Sequence, residues 1–323
     1  YVFVLCSSYF YINCHSISDD VFGPLPTLYD KTTMFLTYDV TKLLDEGINV
    51  IGGALGNGRY CGLRGIGYPL HFGLPTLIAQ LVIENDAGKL VVVSDETWKV
   101  TNKGPIRANN EFDGEIYDAR MELGDWTKSG YDDSGWQKVD IMSAPTQMLC
   151  AQTSPCIKVM EEIVPISIKK VDKNRCIIDM GQNMAGWLKV SLKGKKGQPV
   201  TLRFAESLQA EGDELYVANL RTAKSTDVYI PAQDGNFKWE PIFVYHGFRF
   251  VEVSGVDYTP SVSDFTGKVI YDQMRTIGSF ECSNILLNQI YTNAYWGFRC
   301  NYRGMQTDCP QRDERMGWLG DRT

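Results

Sequence analysis

The sequence predicts a mostly β fold: two tandem β-sandwiches of jelly-roll type, followed by the start of an all-α domain. Three observations carry that expectation. Short apolar runs with period-2 alternation recur through most of the 323-residue chain, turn-rich clusters separate them, and a long helical periodicity is present only near the end. Strands packed this densely, without helices between them, bury their apolar sides by stacking sheet on sheet.

In order along the chain, residues 32–40 place Met34, Leu36, Tyr38 and Val40 on one face of a half-buried strand. Residues 42–46 suffice for one helical turn, which Gly47 ends. Residues 48–55 are apolar enough for an interior strand, and residues 76–84 and 89–94 flank Asn85-Asp86-Ala87-Gly88 as a hairpin. A boundary near Ala144-Pro145 gives a first sandwich over residues 1–145. The second, residues 146–256, takes strands at 163–171, 175–178, 187–192, 200–204, 227–230 and 248–253. Lys193-Gly194-Lys195-Lys196-Gly197 and Gln233-Asp234-Gly235-Asn236 are turns between them.

Residues 257–323 link to the helical domain and enter it. Leu286, Leu287, Ile290, Tyr291, Ala294, Tyr295 and Phe298 recur at spacings of three and four, so residues 283–303 read as an amphipathic helix. Ser283 or Asn284 caps its start and Gly304 its end. The chain begins without Met and stops just after a dense polar motif, so both ends read as cut.

Composition narrows the function. The net charge is −7, from 39 acidic against 32 basic side chains, whereas a phosphate-tracking nucleic-acid binder needs clustered Lys and Arg. Residues 1–12 are too short a run to cross a bilayer and carry no basic flank, so a membrane is not expected either. Seven Trp and seventeen Tyr suit a neutral, hydroxyl-rich ligand such as a sugar. The nine cysteines are odd in number and scattered without C-x-x-C, which points to reduced thiols and a bacterial cytoplasm ahead of a periplasm. His15, His71 and His246 lie far apart without H-E-x-x-H, which leaves no zinc site, and His246 reads as a core or interface residue.

Gly56-Asn57-Gly58 with Gly62 lacks the third spacing of a dinucleotide loop, and Gly194-Lys195-Lys196-Gly197 lacks the trailing hydroxyl of a phosphate loop. No redox cofactor is expected. Asp113, Glu115 and Asp118, or Asp132 and Asp133 beside Trp126 and Trp136, collect enough carboxylates to suggest calcium. Solvated loops or interdomain hydrogen bonds are the plainer explanation, so no metal ligand is assigned.

The densest polar stretch runs Asp308-Cys309-Pro310-Gln311-Arg312-Asp313-Glu314-Arg315-Met316-Gly317-Trp318-Leu319-Gly320-Asp321. Glycoside hydrolysis needs a carboxylic acid to protonate the departing oxygen and a second carboxylate opposite it. Flanking carboxylates would raise the pKa of one member and keep it protonated. Pro310 disfavours helix at Cys309, so Asp308 and Glu314 are expected to converge through a loop leading into a helix. A solvated helix start with local ion pairs is the competing account of the same residues.

That string resembles the acidic signature of bacterial α-L-rhamnosidases, glycoside hydrolase family 78. Asp179-Met180-Gly181-Gln182-Asn183-Met184-Ala185-Gly186-Trp187, Phe204-Ala205-Glu206 and Tyr245-His246-Gly247-Phe248-Arg249-Phe250 resemble motifs of the family's second sandwich. Leu55-Gly56-Asn57-Gly58-Arg59-Tyr60 and Gly114-Glu115-Ile116-Tyr117-Asp118-Ala119-Arg120 are similar to motifs of its first. The resemblance implies that the final helix opens an (α/α)₆ barrel, truncated here. It implies that Glu314 is the general acid, and that Asp308, Arg312, Trp318 and Asp321 line the sugar subsite.

The implied activity is inverting hydrolysis of terminal non-reducing α-L-rhamnose from glycosides or oligosaccharides. The base lies farther along the barrel, so these residues alone are expected to hydrolyse nothing. The alternative is a non-catalytic carbohydrate-binding or scaffolding protein whose last helix makes a homodimer. One departure stands out: Tyr11-Ile12-Asn13-Cys14-His15 has Cys14 where relatives tend to carry the glycine of an Asn-Gly turn, so either a different turn type or an altered sequence at this end is expected.

Overall fold

The computed structural model describes residues 2–62, 72–86, 88–143 and 148–318, with side chains described from Cys6 onward. It is mostly β and divides into two compact units, neither contiguous in sequence: Tyr1–Leu63, Pro69–Pro105 and Met121–Ser154 in one, Ile106–Arg120 and Pro155–Thr323 in the other. Among the described residues no helix is long and apolar enough to cross a membrane.

In the first unit a sheet runs in the order Met148–Ala151, Thr32–Leu36, Val2–Leu5, Thr76–Asn85, Gly88–Val93. A second sheet sets Ser7–Ile12 between His15–Ser16 and Ile51–Gly56. Cys6, Phe10, Cys61 and Ala79 form a small core, with Leu55, Leu77 and Trp98 packed against it. The expected hairpin is present, in register from Gln80 opposite Val93 to Asn85 opposite Gly88. The strand expected over residues 32–40 stops at Leu36. Asp39 accepts hydrogen bonds from the Thr41 backbone N–H at 3.0 Å and the Thr41 hydroxyl at 2.6 Å, and a 3₁₀ turn at Thr41–Leu43 stands in for the helical turn expected at 42–46.

The turn at Cys14 overturns its expectation. Asn13 and Cys14 have φ of 50° and 67°, the two left-handed residues of a type I′ hairpin, with cysteine in the position that favours glycine. Asn13 enforces the turn: its amide donates to Leu43 O at 3.1 Å and Asn49 Oδ1 at 2.8 Å, and its Oδ1 accepts from Val50 N at 3.0 Å. The left-handed conformation costs an L-residue roughly 1–2 kcal/mol, part of which glycine gives back through its freer unfolded chain. Cys14→Gly is therefore expected to stabilise the protein by about 1 kcal/mol. An unchanged or lower urea midpoint would contradict this.

The second unit is organised on one strand, Arg175–Gly194. The sheet order is Ile106–Asn110, Gly114–Asp118, Thr226–Ile230, Val200–Ala205, His246–Ser254, Arg175–Gly194, Phe265–Asp272, Ile157–Ile163, with Ser167–Lys170 and Gly235–Trp239 also paired to the long strand. Where the sequence suggests two strands, 175–178 and 187–192, there is one, irregular in register between Asp179 and Met184. The intervening Gly, Gln and Asn look like a turn because a bulge uses the same residues. Asp179 holds it, accepting from Gly181 N at 2.7 Å and from Arg249 Nε and Nη2 at 2.7 and 2.8 Å.

Past the bulge the strand keeps His246–Ser254 as a partner as far as Gly186, pairs with Phe265–Asp272 from Gly186 to Val190, and then with Gly235–Trp239. A Cβ on Gly186 would lie 1.7 Å from Lys268 O, so only glycine lets the two backbones approach. The strand expected at 163–171 is divided into Ile157–Ile163 and Ser167–Lys170, because Pro165 between them has no N–H for the ladder. Ile178, Met184, Leu188, Phe204, Phe248 and Val251 are fully buried in the core, each worth roughly 1.5–3 kcal/mol for a large side chain.

The helix spans Ile285–Cys300. Asn284 is its cap, with Oδ1 accepting from Leu286 N at 3.0 Å and Leu287 N at 3.4 Å, a contact worth about 1 kcal/mol. It ends short of the expected Arg303 because Asn301 turns back on the last carbonyls, its amide donating to Gly297 O at 3.0 Å. Ile285, Leu286, Leu287, Ile290 and Phe298 along it are exposed. At the end that meets the sheet, Arg299 is buried over the rings of Tyr271 and Trp296, at 4.4 and 4.3 Å, and paired with Glu161.

Candidate active site

The segment after the helix is a loop throughout its described length, with no helix at residues 308–318. Four contacts fix its path. Asp308 closes it: the Asp308 N–H donates to Met316 O at 3.0 Å, and Oδ1 accepts from Met316 N at 2.7 Å. Pro310 sits where a Cβ on Gly247 would be 2.6 Å from its ring, so the glycine of the Tyr245-His246-Gly247 motif makes room for the loop. Asp313 is buried and bound by the Thr222 hydroxyl and, at 3.2 Å, by the Thr222 N–H.

Arg315, fully buried and left-handed at φ 52°, lies 4.4 Å from the Tyr245 ring and donates to Tyr245 O at 3.1 Å and Arg312 O at 3.2 Å. A buried cation held by a ring face and carbonyls ties the loop to the second unit at its midpoint.

These anchors bring Asp308, Arg312, Glu314 and Trp318 together, as the sequence suggested. Arg312 lies between the two carboxylates, with Nη2 2.9 Å from Asp308 Oδ2 and Nε 3.0 Å from Glu314 Oε2. The Trp318 indole N–H donates to Glu314 Oε1 at 2.8 Å. A residue that no local pattern singled out completes the cluster: Arg221, whose Nη1 is 2.8 Å from Glu314 Oε2. Asp321 lies outside the described residues.

The electrostatics correct one expectation. Carboxylates were expected to keep Glu314 protonated, yet cations face it and Asp308 is neutralised by Arg312. Burial works to raise the Glu314 pKa, but the hydrogen bonds from Trp318 and Arg312 and the charges of Arg312 and Arg221 outweigh it. The carboxyl is held below the usual carboxylate range and is ionised near neutrality in this state.

Asp308 and Arg312 also line a concavity of about 440 Å³ with Asn183, Glu206 and Trp296. Its polar wall is pre-organised: Glu206 accepts from Asn183 Nδ2 at 3.0 Å and Asn219 Nδ2 at 3.1 Å. The bulge explains Asn183, because a regular strand would not turn that residue and Gln182 out of the ladder. Planar amides, a carboxylate, an arginine and an indole suit a hydroxylated ring.

The carboxylates considered for calcium are engaged elsewhere. Asp118 is forked onto Arg120, with Oδ1 2.8 Å from Nε and Oδ2 2.7 Å from Nη2. Asp132 accepts from Ser134 N at 3.0 Å, and Asp133 pairs with Lys99 at 2.6 Å. Glu115 is fully buried and accepts from Phe243 N at 3.1 Å and Ile242 N at 3.3 Å. Burial first, and then the charge of Asp227, push its pKa up to about 8. His246 is a core residue, stacked on Phe204 at 4.2 Å, with Nε2 3.0 Å from Asp227 Oδ1 and Nδ1 3.2 Å from Ser225 Oγ. Ser225, His246 and Asp227 have the composition of a nucleophile relay, but all are fully buried, which leaves no approach for a substrate.

Three family models match successive parts of the chain: the α-L-rhamnosidase N-terminal domain over residues 1–161, the bacterial α-L-rhamnosidase concanavalin-like domain over 169–271, and the bacterial α-L-rhamnosidase six-hairpin glycosidase domain over 275–323. An α-L-rhamnosidase of Formosa agariphila is 40% identical over 318 residues, covering 96% of this chain and 34% of the relative. One from Alteromonas sp. is 38% identical, with 96% and 34% covered. Among solved structures, the α-L-rhamnosidase of Dictyoglumus thermophilum aligns at a TM-score of 0.93 and 39% identity, covering 99% of this chain and 36% of that one. The Streptomyces avermitilis enzyme, complexed with L-rhamnose, aligns at 0.95 and 34% identity, covering 99% and 31%. The chain spans about a third of the length of these relatives. With all three domain models in order along it, the chain belongs to the bacterial α-L-rhamnosidase family.

Proposed function

We propose that this chain supplies the acid half of an inverting α-L-rhamnosidase, with Glu314 protonating the glycosidic oxygen of a terminal α-L-rhamnose. The observation that supports it is the convergence of Asp308, Arg312 and Trp318 on the Glu314 carboxyl beside a concave polar wall. In this reading Asp308, Arg312 and Asp321 hold sugar hydroxyls and Trp318 walls the subsite. Glu314 takes up its proton when the sugar excludes water, because desolvation is already the largest influence on it and grows as the site closes.

The partner carboxylate, which activates water on the opposite face of the ring, belongs to the remainder of an (α/α)₆ barrel. The exposed apolar side chains of the helix Ile285–Cys300 favour such a domain, because a stripe of that kind calls for a covering surface. Nine cysteines scattered through the sequence without a C-x-x-C spacing favour a bacterial cytoplasm.

The test is product stereochemistry. Proton NMR of the full-length enzyme acting on an aryl α-L-rhamnoside is expected to show β-L-rhamnose first, with no hydrolysis by residues 1–323 alone. Retained configuration would refute the inverting mechanism, and sugar binding without release would favour a carbohydrate-binding module.

A further inference from the structure

We infer that Arg221 is a positioning residue for Glu314: it reaches across from the second sandwich to hold the carboxylate in the unliganded enzyme and helps set the pH at which the acid is available. The inference rests on the rhamnosidase reading for its catalytic meaning, and on geometry for the contact itself.

Arg221 has φ 59° and ψ −115°, the first central position of a type II′ turn, where glycine is the ordinary occupant. A long side chain in a glycine conformation is strained, and strain of this kind persists where the side chain has work to do. Here the guanidinium Nη1 lies 2.8 Å from Glu314 Oε2, a residue 93 positions away.

The donors are divided between the two carboxylate oxygens. Oε1 receives the Trp318 N–H, whereas Oε2 receives Arg312 Nε and Arg221 Nη1. Arg312 is committed to Asp308 as well, so its position follows the loop's own closure. Arg221 is independent of that closure. Its next neighbour, Thr222, binds Asp313, so one short segment, Arg221-Thr222, grips consecutive carboxylates of the loop. Among the described residues, the charged groups around Glu314 are thus Arg312 and Arg221 in contact, Asp308 across Arg312, and Asp313 turned away to Thr222.

The Arg221 side chain is 46% exposed, against 14% for Glu314, so the arginine forms the outer side of the pair and can swing aside when a glycoside enters. A cation beside a carboxylate lowers its pKa, so losing Arg221 makes the proton easier to hold. An acid must be protonated to work. The alkaline limb of kcat/KM, which reports the free enzyme, should therefore move to higher pH.

The experiment uses the full-length enzyme with Arg221→Gly, Arg221→Met and Arg221→Lys. The glycine variant suits the backbone conformation and keeps the test open if the methionine variant folds poorly. Carbon-13 NMR of labelled glutamate carboxyls, with Glu314→Gln to identify the signal, reads the Glu314 midpoint without substrate. A rise of roughly half a pH unit is expected in the glycine and methionine variants, as for a partly exposed pair, and a smaller one in the lysine variant. The alkaline limb of kcat/KM should rise in parallel. A folded glycine variant with an unmoved midpoint overturns the inference. A moved midpoint in a protein that cleaves no rhamnoside supports the contact and overturns the rhamnosidase reading instead.

Discussion

Glu314→Gln in the full-length enzyme is expected to lower kcat/KM on a phenyl α-L-rhamnoside by roughly 10²- to 10⁴-fold, the usual worth of a general acid. Rhamnose binding should stay within a few-fold. The amide keeps the size of the side chain and can still present an oxygen to Arg312 and Arg221, but it has no proton to give. The clearest signature is dependence on the leaving group. A nitrophenolate departs without protonation and should lose little, whereas an alkyl or sugar alcohol depends on the proton and should lose most. A uniform loss across leaving groups would point to misfolding or a binding defect, and near-normal activity on an alkyl rhamnoside would remove Glu314 from the acid role.

The second large effect concerns stability. Glu115, whose pKa burial and Asp227 raise to about 8, holds a proton in the folded state that it gives up on unfolding above the ordinary carboxylate range. The unfolded chain therefore binds fewer protons than the folded one between about pH 4.5 and 8, and stability falls as pH rises through that window. One proton corresponds to about 1.4 kcal/mol per pH unit, or roughly 3 kcal/mol between pH 5.5 and 7.5. Glu115→Gln mimics the protonated acid. The stability advantage of the variant over the parent should grow by about that amount between pH 5.5 and pH 7.5. Denaturant titrations of parent and variant at the two pH values measure it. Parallel slopes would show that Glu115 is ionised in the folded protein.

Glu115 also shows how a sequence misleads about carboxylates. Asp113, Glu115 and Asp118 are neighbours in sequence and look like cation ligands. Along the strand Gly114–Asp118, however, Glu115 turns into the core while Asp118 meets Arg120. Strand alternation separates what the sequence puts together. Arg221 is the reverse case, because nothing near it in sequence carries a catalytic pattern. Its role comes from a loop that the fold delivers to Glu314. Asn183 and Glu206 fall within recognisable motifs, yet their place on a common wall depends on the bulge that joins two expected strands into one.

What the sequence determined by itself is local: the β-rich character, the hairpin at Thr76–Asn85 and Gly88–Val93, and the capped helix. Alternation, turn chemistry and capping act over a few residues and leave a legible pattern, whereas polar spacing alone fitted a solvated helix start as well as a site at Asp308, Arg312, Glu314 and Trp318, and the family resemblance singled the site out. The tertiary structure alone decided that Gly114–Asp118 runs parallel to Thr226–Ile230, that Pro310 rests on Gly247, and that arginines rather than carboxylates face Glu314. Those outcomes depend on which distant surfaces are pressed together, and the charge state of an acid follows from its neighbours in space.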